Sequence, residues 1–194
     1  NTHLTGEALG LYYLGTQLPF LSRAEQWRNV GEDILMDEVT RQIFEDGVYF
    51  EQSTWYQRYT VDIYLHFTVL RAAFNNEPGG APASELEKRL QAALEFMMFV
   101  TRPDGTTPMI GDDDGGRLLP LTGAAPDDHR GTLAAGAAVF GRKDMKAVAG
   151  EPSQEIFWLL GANGLASYAT MHAEEPETAS KAFSAGGYYA MRDG

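Results

Sequence analysis

The chain repeats one kind of turn at a nearly constant spacing. An Asp-Gly pair occurs at Asp46-Gly47 and again 58 residues later at Asp104-Gly105, and Asn163-Gly164 follows after 59 more residues. The first two pairs each lie close to stretches whose apolar residues have helical spacing, so each pair is expected to join helical segments. A helical-hairpin unit that recurs at a fixed period indicates a solenoid or an α/α toroid rather than a lone bundle.

Four stretches are predicted to be helices from the spacing of their apolar residues: 4–18, 22–43, 53–74 and 84–100. Ser22 and Ser84 each begin a Ser-x-x-Glu sequence, which is the pattern of a capping box at a helix start. The third stretch is apolar on most faces, as expected of an inner helix of a toroid. Weaker patterns predict helices over 132–140 and 153–160.

The remaining segments are less regular. Residues 103–126 are rich in Gly, Pro and Asp without periodicity, which predicts a long ordered loop or the rim of a site. The composition becomes linker-like from Glu174 to Gly186, and the residues from Tyr188 to Met191 have the pattern of a strand. We therefore expect 1–175 to belong to a helical domain, and 176–194 to be a linker and the first strand of a β-rich domain that continues beyond this chain.

Composition and charge exclude several classes of protein. The net charge is −12 and no basic stripe is present, which argues against nucleic-acid binding. No apolar run is long enough to predict a membrane span. The chain has no cysteine, so it cannot form disulfides, thiolate metal sites or a cysteine nucleophile. Because the overall field is negative, an acidic substrate would have to be held by a local positive patch.

The first residues, NTHLTGEAL, combine an amide, an imidazole and a carboxylate. If they begin a helix, His3 and Glu7 lie one turn apart on the same face and Asn1 lies at the cap. One interpretation is an ordinary Asn cap followed by a helical His-Glu pair. The other is a site in which these side chains contact a substrate.

A second group of polar and aromatic residues occurs in EQSTWYQR. Tyr56, Gln57 and Arg58 follow Trp55 directly, and Gln52 lies just before them. A mixture of this kind is typical of a sugar-binding wall, because an aromatic face stacks on the ring while amide and guanidinium groups bind hydroxyls and carboxylates. The alternative is a Ser or Thr helix cap followed by core aromatic residues.

Other polar groups carry weaker signals. Asp112 to Asp114 could hold a divalent ion, but the ligand spacing of a calcium loop is absent. We therefore favour a turn whose Asp side chains cap backbone amides, with Arg117 as a possible partner. His66 is expected to be a core histidine with a bonded partner, His129 to lie at a helix start, and His172 to lie in a polar loop. No metal site and no cofactor are predicted.

The sequence resembles the heparinase II/III-like and related alginate lyase families over nearly its whole length. The resemblance lies in NTHLTGEALGLYYLG, DGVYFEQSTWYQRY, TRPDGTTPMIGDDDGGR, HRGTLAAGAAVFGR and GGYYAMRDG. It implies a mainly α fold, a helical-hairpin segment of an α/α toroid that leads into a C-terminal antiparallel β-sandwich domain. It also implies a polysaccharide lyase that breaks the bond at C4 of a uronic acid by β-elimination, and a periplasmic or secreted location.

The resemblance assigns roles to particular residues. Asn1 matches the asparagine that neutralises the substrate carboxylate, and His3 is similar to the histidine of the same motif. Tyr56 looks like the catalytic acid, whereas Gln57 stands where relatives commonly have a histidine. By the same resemblance, the partner base comes from the β-sandwich domain. The implied partner is an acidic polysaccharide, and no cofactor is implied.

Two other functions remain open at the level of the sequence. An α/α-toroid glycoside hydrolase would need two carboxyl groups about 5 to 9.5 Å apart, for which Glu51 and one of Asp112 to Asp114 are candidates. A non-catalytic carbohydrate-binding domain would need Trp55 and Arg58, but it would not need Asn1, His3 and Tyr56 to converge.

Overall fold

The computed structural model describes residues 1–75, 84–118 and 122–192. Within them the order of elements is α1 (Thr2–Gln17), α2 (Ala24–Gln42), α3 (Thr54–Asn75), α4 (Glu85–Val100), α5 (Arg130–Phe140), α6 (Lys143–Ala149), α7 (Gln154–Thr170), β1 (Lys181–Phe183) and β2 (Tyr188–Ala190). The predicted mainly α fold is therefore confirmed. No helix in the described part of the chain is both long enough and apolar enough to cross a bilayer.

The four helices with strong apolar periodicity are confirmed, and their ends differ from the predicted ones by two residues at most. α5 and α7 are longer than predicted. The predicted end of α7 at residue 160 falls where Gly161, with a φ of 69°, interrupts the helical backbone. α6 was not predicted, because its seven residues are too few to display a helical period. Residues 119–121 of the predicted loop and 193–194 of the predicted β-rich segment lie outside the described residues.

Only one of the two predicted capping boxes forms. At α4 the hydroxyl of Ser84 accepts from the backbone N–H of Glu87 at 3.2 Å, and the Glu87 carboxylate accepts from the Ser84 N–H at 2.7 Å. α2 instead begins at Ala24 with Arg23 at its N-cap and no side-chain capping bond. Ser22 lies inside a turn that precedes the helix, so the prediction at this position is wrong.

The two Asp-Gly turns have the same structure. In each, the glycine has a φ near +90° and its N–H donates at 2.9 Å to the carbonyl three residues earlier. The carboxylates of Asp46 and Asp104 accept from the N–H two residues later, at 3.3 and 2.9 Å. These turns follow the outer helices α2 and α4 and precede the inner helices α3 and α5, so the repeated hairpin is confirmed. Asn163-Gly164 lies inside α7, and that predicted turn is wrong.

The inner helices α1 and α3 run parallel, with a register that two contacts define. The hydroxyl of Tyr59 lies 3.5 Å from the position that a Cβ would take on Gly6. The hydroxyl of Tyr13 is hydrogen-bonded to Nδ1 of His66 at 2.7 Å. Both pairs are separated by 53 residues along the chain. The same offset puts the start of α1 level with the start of α3.

The C-terminal hairpin packs on α4. β1 and β2 are antiparallel, with Phe183 opposite Tyr188. The fully buried ring of Phe183 meets the edge of Phe96 at a centroid distance of 5.0 Å. The strand predicted near Tyr188 is confirmed, whereas β1 lies in the segment interpreted as linker. The division into a helical domain and a β-rich domain stays a prediction.

Candidate active site

Asn1 caps the first inner helix. Its side-chain Oδ1 accepts from the backbone N–H of Leu4 at 3.3 Å, so the N-cap interpretation is confirmed. This bond uses only the oxygen of the amide, which leaves the NH₂ group as a donor to a ligand. Asn1, His3 and Glu7 are all exposed. The cap role and a substrate-binding role for Asn1 are therefore compatible.

The register between the inner helices places His3 level with Tyr56. The two residues are separated by the same 53 positions as the contacting pairs farther along α1 and α3. Tyr49 lies between the same two helix starts. Burial raises the pKa of Tyr49, the charge of Glu51 raises it further, and a hydrogen bond with the backbone of Thr2 lowers it. The start of α1 and the loop before α3 thus meet around this tyrosine.

The hydroxyl of Tyr56 has an acidic environment. The side chain is partly exposed, and its backbone N–H donates to the Ser53 hydroxyl at 3.1 Å, which fixes the first turn of α3. Burial raises the pKa of Tyr56, and the negative charges of Asp114, Asp112 and Glu51 raise it further. Tyrosine has an ordinary pKa of about 10, and the upward shift keeps Tyr56 protonated at neutral pH, so the residue is available there as a proton donor and not as a base.

The loop after the second Asp-Gly turn forms a rim over the start of α3. The N–H of Thr54 donates to the carbonyl of Ile110 at 3.0 Å, and the hydroxyl of Ser53 donates to the carbonyl of Asp112 at 2.6 Å. The segment between the first Asp-Gly turn and α3 is short, whereas the one between the second turn and α5 is long. The long loop after the second Asp-Gly turn supplies backbone acceptors for the buried groups of Ser53 and Thr54 at the start of α3, where the first N–H groups of a helix have no intrahelical partner.

The acidic run in this rim forms turns, as expected. The carboxylates of Asp113 and Asp114 accept from the backbone N–H groups two residues later, at 2.7 and 3.3 Å. Arg117 does not complete these turns, since its guanidinium donates to the carbonyl of Ala124 at 3.3 Å. No group of three or more His, Asp or Glu side chains in the described part of the chain is arranged to hold a metal ion.

Trp55 belongs to the protein core. Only 6% of it is exposed, and its ring meets the edge of the His129 ring at a centroid distance of 4.9 Å. The ring presents no open face on which a sugar could stack. This burial corrects the expectation that Trp55 is a wall of a sugar site, and it supports the alternative of a core aromatic residue.

Gln57 is also buried, and both ends of its amide are bonded to the backbone. Its Oε1 accepts from the N–H of Tyr49 at 2.7 Å, and its Nε2 donates to the carbonyls of Gly47 at 2.9 Å and Ala93 at 3.2 Å. The side chain therefore joins the first Asp-Gly turn to α4. It has no free group for a substrate, which corrects the expectation that it binds one.

Gln52 and Arg58 have different surroundings. Gln52 is exposed and has a φ of 59°, and its carbonyl accepts from the hydroxyl of Tyr188 at 3.0 Å. Its predicted contact with substrate stays a prediction. Arg58 is 6% exposed and donates to the carbonyl of Gly116 at 3.2 Å. Its Nε lies 3.9 Å from Oδ2 of Asp62.

The other histidines agree with their predicted structural positions. His66 is bonded to Tyr13, and burial lowers its pKa. His129 lies at the N-cap of α5, and its burial together with the charge of Arg58 lowers its pKa to about 3. Both rings are therefore neutral at neutral pH. His172 lies in an exposed segment after α7.

A polar cavity between α3, α5 and α7 was missed by the sequence interpretation. It is lined by charged groups from three separate parts of the chain, together with an exposed tryptophan: Arg58, Asp62, Arg117, Glu155 and Trp158. Arg58 and Arg117 belonged to quoted motifs, but nothing in the spacing of Asp62, Glu155 or Trp158 pointed to a common site. Burial raises the pKa of Asp62 to about 6, although the Arg58 charge lowers it.

A family model described as Heparinase II/III N-terminus matches residues 1–117. The chain belongs to this family. The matched region contains Asn1, His3 and Tyr56, and it ends at Arg117 in the acidic rim. The predicted resemblance to heparinase II/III-like proteins is confirmed.

Two individual relatives are heparin-sulfate lyases. Over 117 residues the chain is 32% identical to a heparin-sulfate lyase of Bacteroides thetaiotaomicron, covering 56% of this chain and 16% of that protein. It is 28% identical over 112 residues to a heparin-sulfate lyase of Pedobacter heparinus, covering 57% of this chain and 16% of that protein. The matched part of the chain thus spans about a sixth of the length of these relatives.

The family also shares the fold. A solved structure of a heparinase III with methylated lysines superposes with a TM-score of 0.59 at 20% sequence identity, over 94% of this chain and 24% of that chain. The similarity extends through α5 to α7, beyond the region that the family model matches. The toroid-type arrangement of helical hairpins is therefore common to both.

Replacing Asp114 by asparagine tests the electrostatic environment of Tyr56. The asparagine keeps an oxygen that can accept from Gly116, but it removes the negative charge that raises the pKa of Tyr56. The pKa of Tyr56 should therefore fall. If Tyr56 is the proton donor, the alkaline limb of the pH profile of kcat should move to lower pH.

Asp113→Asn is the matched control for this measurement. Asp113 makes the same kind of turn with Gly115, and its charge is not among the main causes of the shift of the Tyr56 pKa. The control should leave the alkaline limb where it is. An alkaline limb that stays in place in the Asp114 variant would contradict the role of Asp114.

Proposed function

We propose that the protein is a polysaccharide lyase that cleaves a uronic-acid-containing glycosaminoglycan by β-elimination, with Asn1, His3 and Tyr56 at its catalytic end. The observation that carries the proposal is the parallel register of α1 and α3, with His3 level with a tyrosine whose pKa is raised. The names of the relatives, heparin-sulfate lyases, support a substrate of the heparan sulfate type.

The reaction requires stabilisation of the substrate carboxylate and transfer of protons. The C5 proton of a uronate is very weakly acidic, so donors must first stabilise the negative charge that develops on the carboxylate. The NH₂ group of Asn1 and the imidazole of His3 are exposed donors at the start of α1. We propose that they bind the carboxylate without the help of a metal.

The proton transfers then follow. A base removes the C5 proton, the electron pair forms the C4–C5 double bond, and the C4–O4 bond breaks. The departing O4 takes the proton of the Tyr56 hydroxyl, which is protonated at neutral pH. We propose that the base comes from a β-sandwich domain, as the family resemblance implies. We also propose a periplasmic or secreted location, on the resemblance alone.

Product chemistry tests the proposal. The full-length protein that carries this sequence should be incubated separately with heparan sulfate, hyaluronan and alginate. A lyase produces an unsaturated uronate end that absorbs ultraviolet light, and we expect that absorbance to grow with heparan sulfate.

The other outcomes separate the competing functions. New reducing ends without ultraviolet absorbance would favour a hydrolase. Binding of the polymer without cleavage would favour a carbohydrate-binding domain. Either result would overturn the lyase proposal.

A further inference from the structure

The cavity between α3, α5 and α7 contains guanidinium donors that make no hydrogen bond within the described part of the chain, although Nε of Arg58 has an ion-pair contact with Asp62 at 3.9 Å. Nε of Arg58 and Nη2 of Arg117 are buried and make no hydrogen bond with the described residues. Arg58 as a whole is 94% buried and lines the cavity. Buried polar groups are nearly always hydrogen-bonded, because an unsatisfied one costs about 1–3 kcal/mol and a charged one more. Two such donors on one cavity indicate a bound group that accepts hydrogen bonds.

The carboxylates of the cavity are only partly satisfied. Oδ1 of Asp62 accepts from the hydroxyl of Thr132 at 2.7 Å, and Oε1 of Glu155 accepts from the hydroxyl of Thr122 at 3.0 Å. Each carboxylate therefore keeps a second oxygen that can accept from a ligand hydroxyl. Two guanidinium groups and two carboxylates leave the cavity close to neutral, which suits a ligand that carries both hydroxyls and an anionic group.

The third acidic residue of the lining is already compensated. Asp128 forms a two-bond ion pair with Arg130, whose Nε and Nη2 lie 2.9 and 2.7 Å from its two carboxylate oxygens. It therefore adds little repulsion toward an anion in the cavity. His66 also lines the cavity, but its Nδ1 is bonded to Tyr13 and the ring is neutral at neutral pH.

Trp158 supplies the aromatic surface that Trp55 does not. It is 59% exposed and lines the same cavity, and its ring meets the edge of Phe157 at a centroid distance of 5.6 Å. An open tryptophan face beside guanidinium and carboxylate groups has the composition of a saccharide site. The aromatic wall that the sequence predicted at Trp55 on α3 is thus provided by Trp158 on α7.

We propose that this cavity is a saccharide subsite that binds one acidic sugar unit of the polymer. The sugar ring lies against Trp158, its carboxylate or sulfate reaches Arg58 and Arg117, and its hydroxyls donate to Asp62 and Glu155. The cavity has a volume of about 60 Å³, which is room for about four waters at roughly 10–15 Å³ each. It therefore takes the anionic substituent, while the ring lies at the open mouth.

This subsite is connected to the catalytic end through the acidic rim. Arg58 donates to the carbonyl of Gly116, and Asp114, two residues earlier, raises the pKa of Tyr56. A saccharide bound at Arg58 would therefore contact the loop that also borders Tyr56. The inference rests on the proposed function only for the identity of the polymer, since binding can be measured without turnover.

Direct binding to the full-length protein in a Tyr56→Phe background tests the subsite. Size-defined heparan sulfate oligosaccharides should change the tryptophan fluorescence, and this change should disappear in Trp158→Phe but persist in Trp27→Phe. Trp158→Ala should raise Kd about tenfold, because loss of stacking of about 1.4 kcal/mol is a tenfold change. Phe157→Leu is the matched control, and its Kd should stay within about twofold.

Arg117→Gln identifies the anionic group. It should weaken binding of sulfated and unsulfated oligosaccharides alike if Arg117 binds the carboxylate, and of sulfated ones alone if it binds sulfate. Thermal unfolding confirms that each variant is folded. Unchanged Kd in both Trp158→Ala and Arg117→Gln would overturn the subsite, even if the wild-type protein proves to be a lyase. If the wild-type protein forms no unsaturated product but Kd rises in Trp158→Ala and Arg117→Gln, only the lyase proposal would be overturned.

Discussion

Replacing Tyr56 by phenylalanine is expected to lower kcat for heparan sulfate by about 10²-fold to 10⁴-fold, the range that general acid catalysis contributes. The change removes only the hydroxyl. The bond that fixes the first turn of α3 comes from the backbone N–H of Tyr56 to Ser53, so it remains. Because the side chain is partly exposed, the melting temperature should hardly change. Growth of ultraviolet absorbance gives kcat, and oligosaccharide titration gives Kd, which should change little.

Tyr59→Phe provides the comparison, since Tyr59 lies one turn farther along α3. Its ring lies beside Gly116 in the rim, and its hydroxyl lies near Gly6 on α1, so it borders the same region. We expect this variant to keep most of its kcat. Substantial turnover in Tyr56→Phe would show that the hydroxyl is not the proton donor, and a loss confined to Tyr59→Phe would transfer the role to Tyr59.

The fold was predictable where the signals are local. Apolar periodicity defined α1 to α4, and the capping box at Ser84 and the two Asp-Gly turns depend only on residues within a few positions of one another. The same local rules failed where they were weak. At Ser22 the chain forms a turn before the helix begins, and at Asn163-Gly164 the chain stays helical.

The candidate site was less predictable, because it depends on which way each side chain points. Consecutive residues of an α-helix are rotated by about 100°. Tyr56, Gln57 and Arg58 therefore cannot form one wall: Tyr56 lies near the acidic rim, Gln57 faces α4, and Arg58 lines the cavity toward α5 and α7. Their adjacency in sequence suggested a common surface that the helix geometry forbids.

The missed cavity has the same origin. Asp62 lies on α3 and both Glu155 and Trp158 lie on α7, so about ninety residues of chain separate groups that the packing of inner helices brings together. Asp62 and Thr132 meet only because α3 and α5 are neighbours. No spacing rule applied to one stretch can identify such a site. The sequence indicated that local positive charge was needed, but it did not indicate that Arg58 and Arg117 meet in one cavity.

Gln57→Leu is expected to destabilise the protein strongly and not to act through substrate binding. The leucine leaves the N–H of Tyr49 and the carbonyl of Gly47 without their partner in a buried region, whereas the carbonyl of Ala93 keeps its bond within α4. Each unsatisfied buried group costs about 1–3 kcal/mol, so two of them should lower the free energy of unfolding by about 2 kcal/mol or more. Denaturant unfolding measures this loss.

Gln26→Leu is the matched control for that loss, because Gln26 is an exposed glutamine on α2. The free energy of unfolding of this control variant should change by less than about 0.5 kcal/mol.

The KM of Gln57→Leu for heparan sulfate should stay within about twofold of the wild-type value at a temperature where the variant is still folded, since the amide faces the backbone rather than the substrate. A variant with normal unfolding but a greatly raised KM would mean that Gln57 contacts the substrate. Three backbone bonds hold the Gln57 amide between the Asp-Gly turn and α4, so a KM close to that of the wild type is the result that the packing of the chain requires.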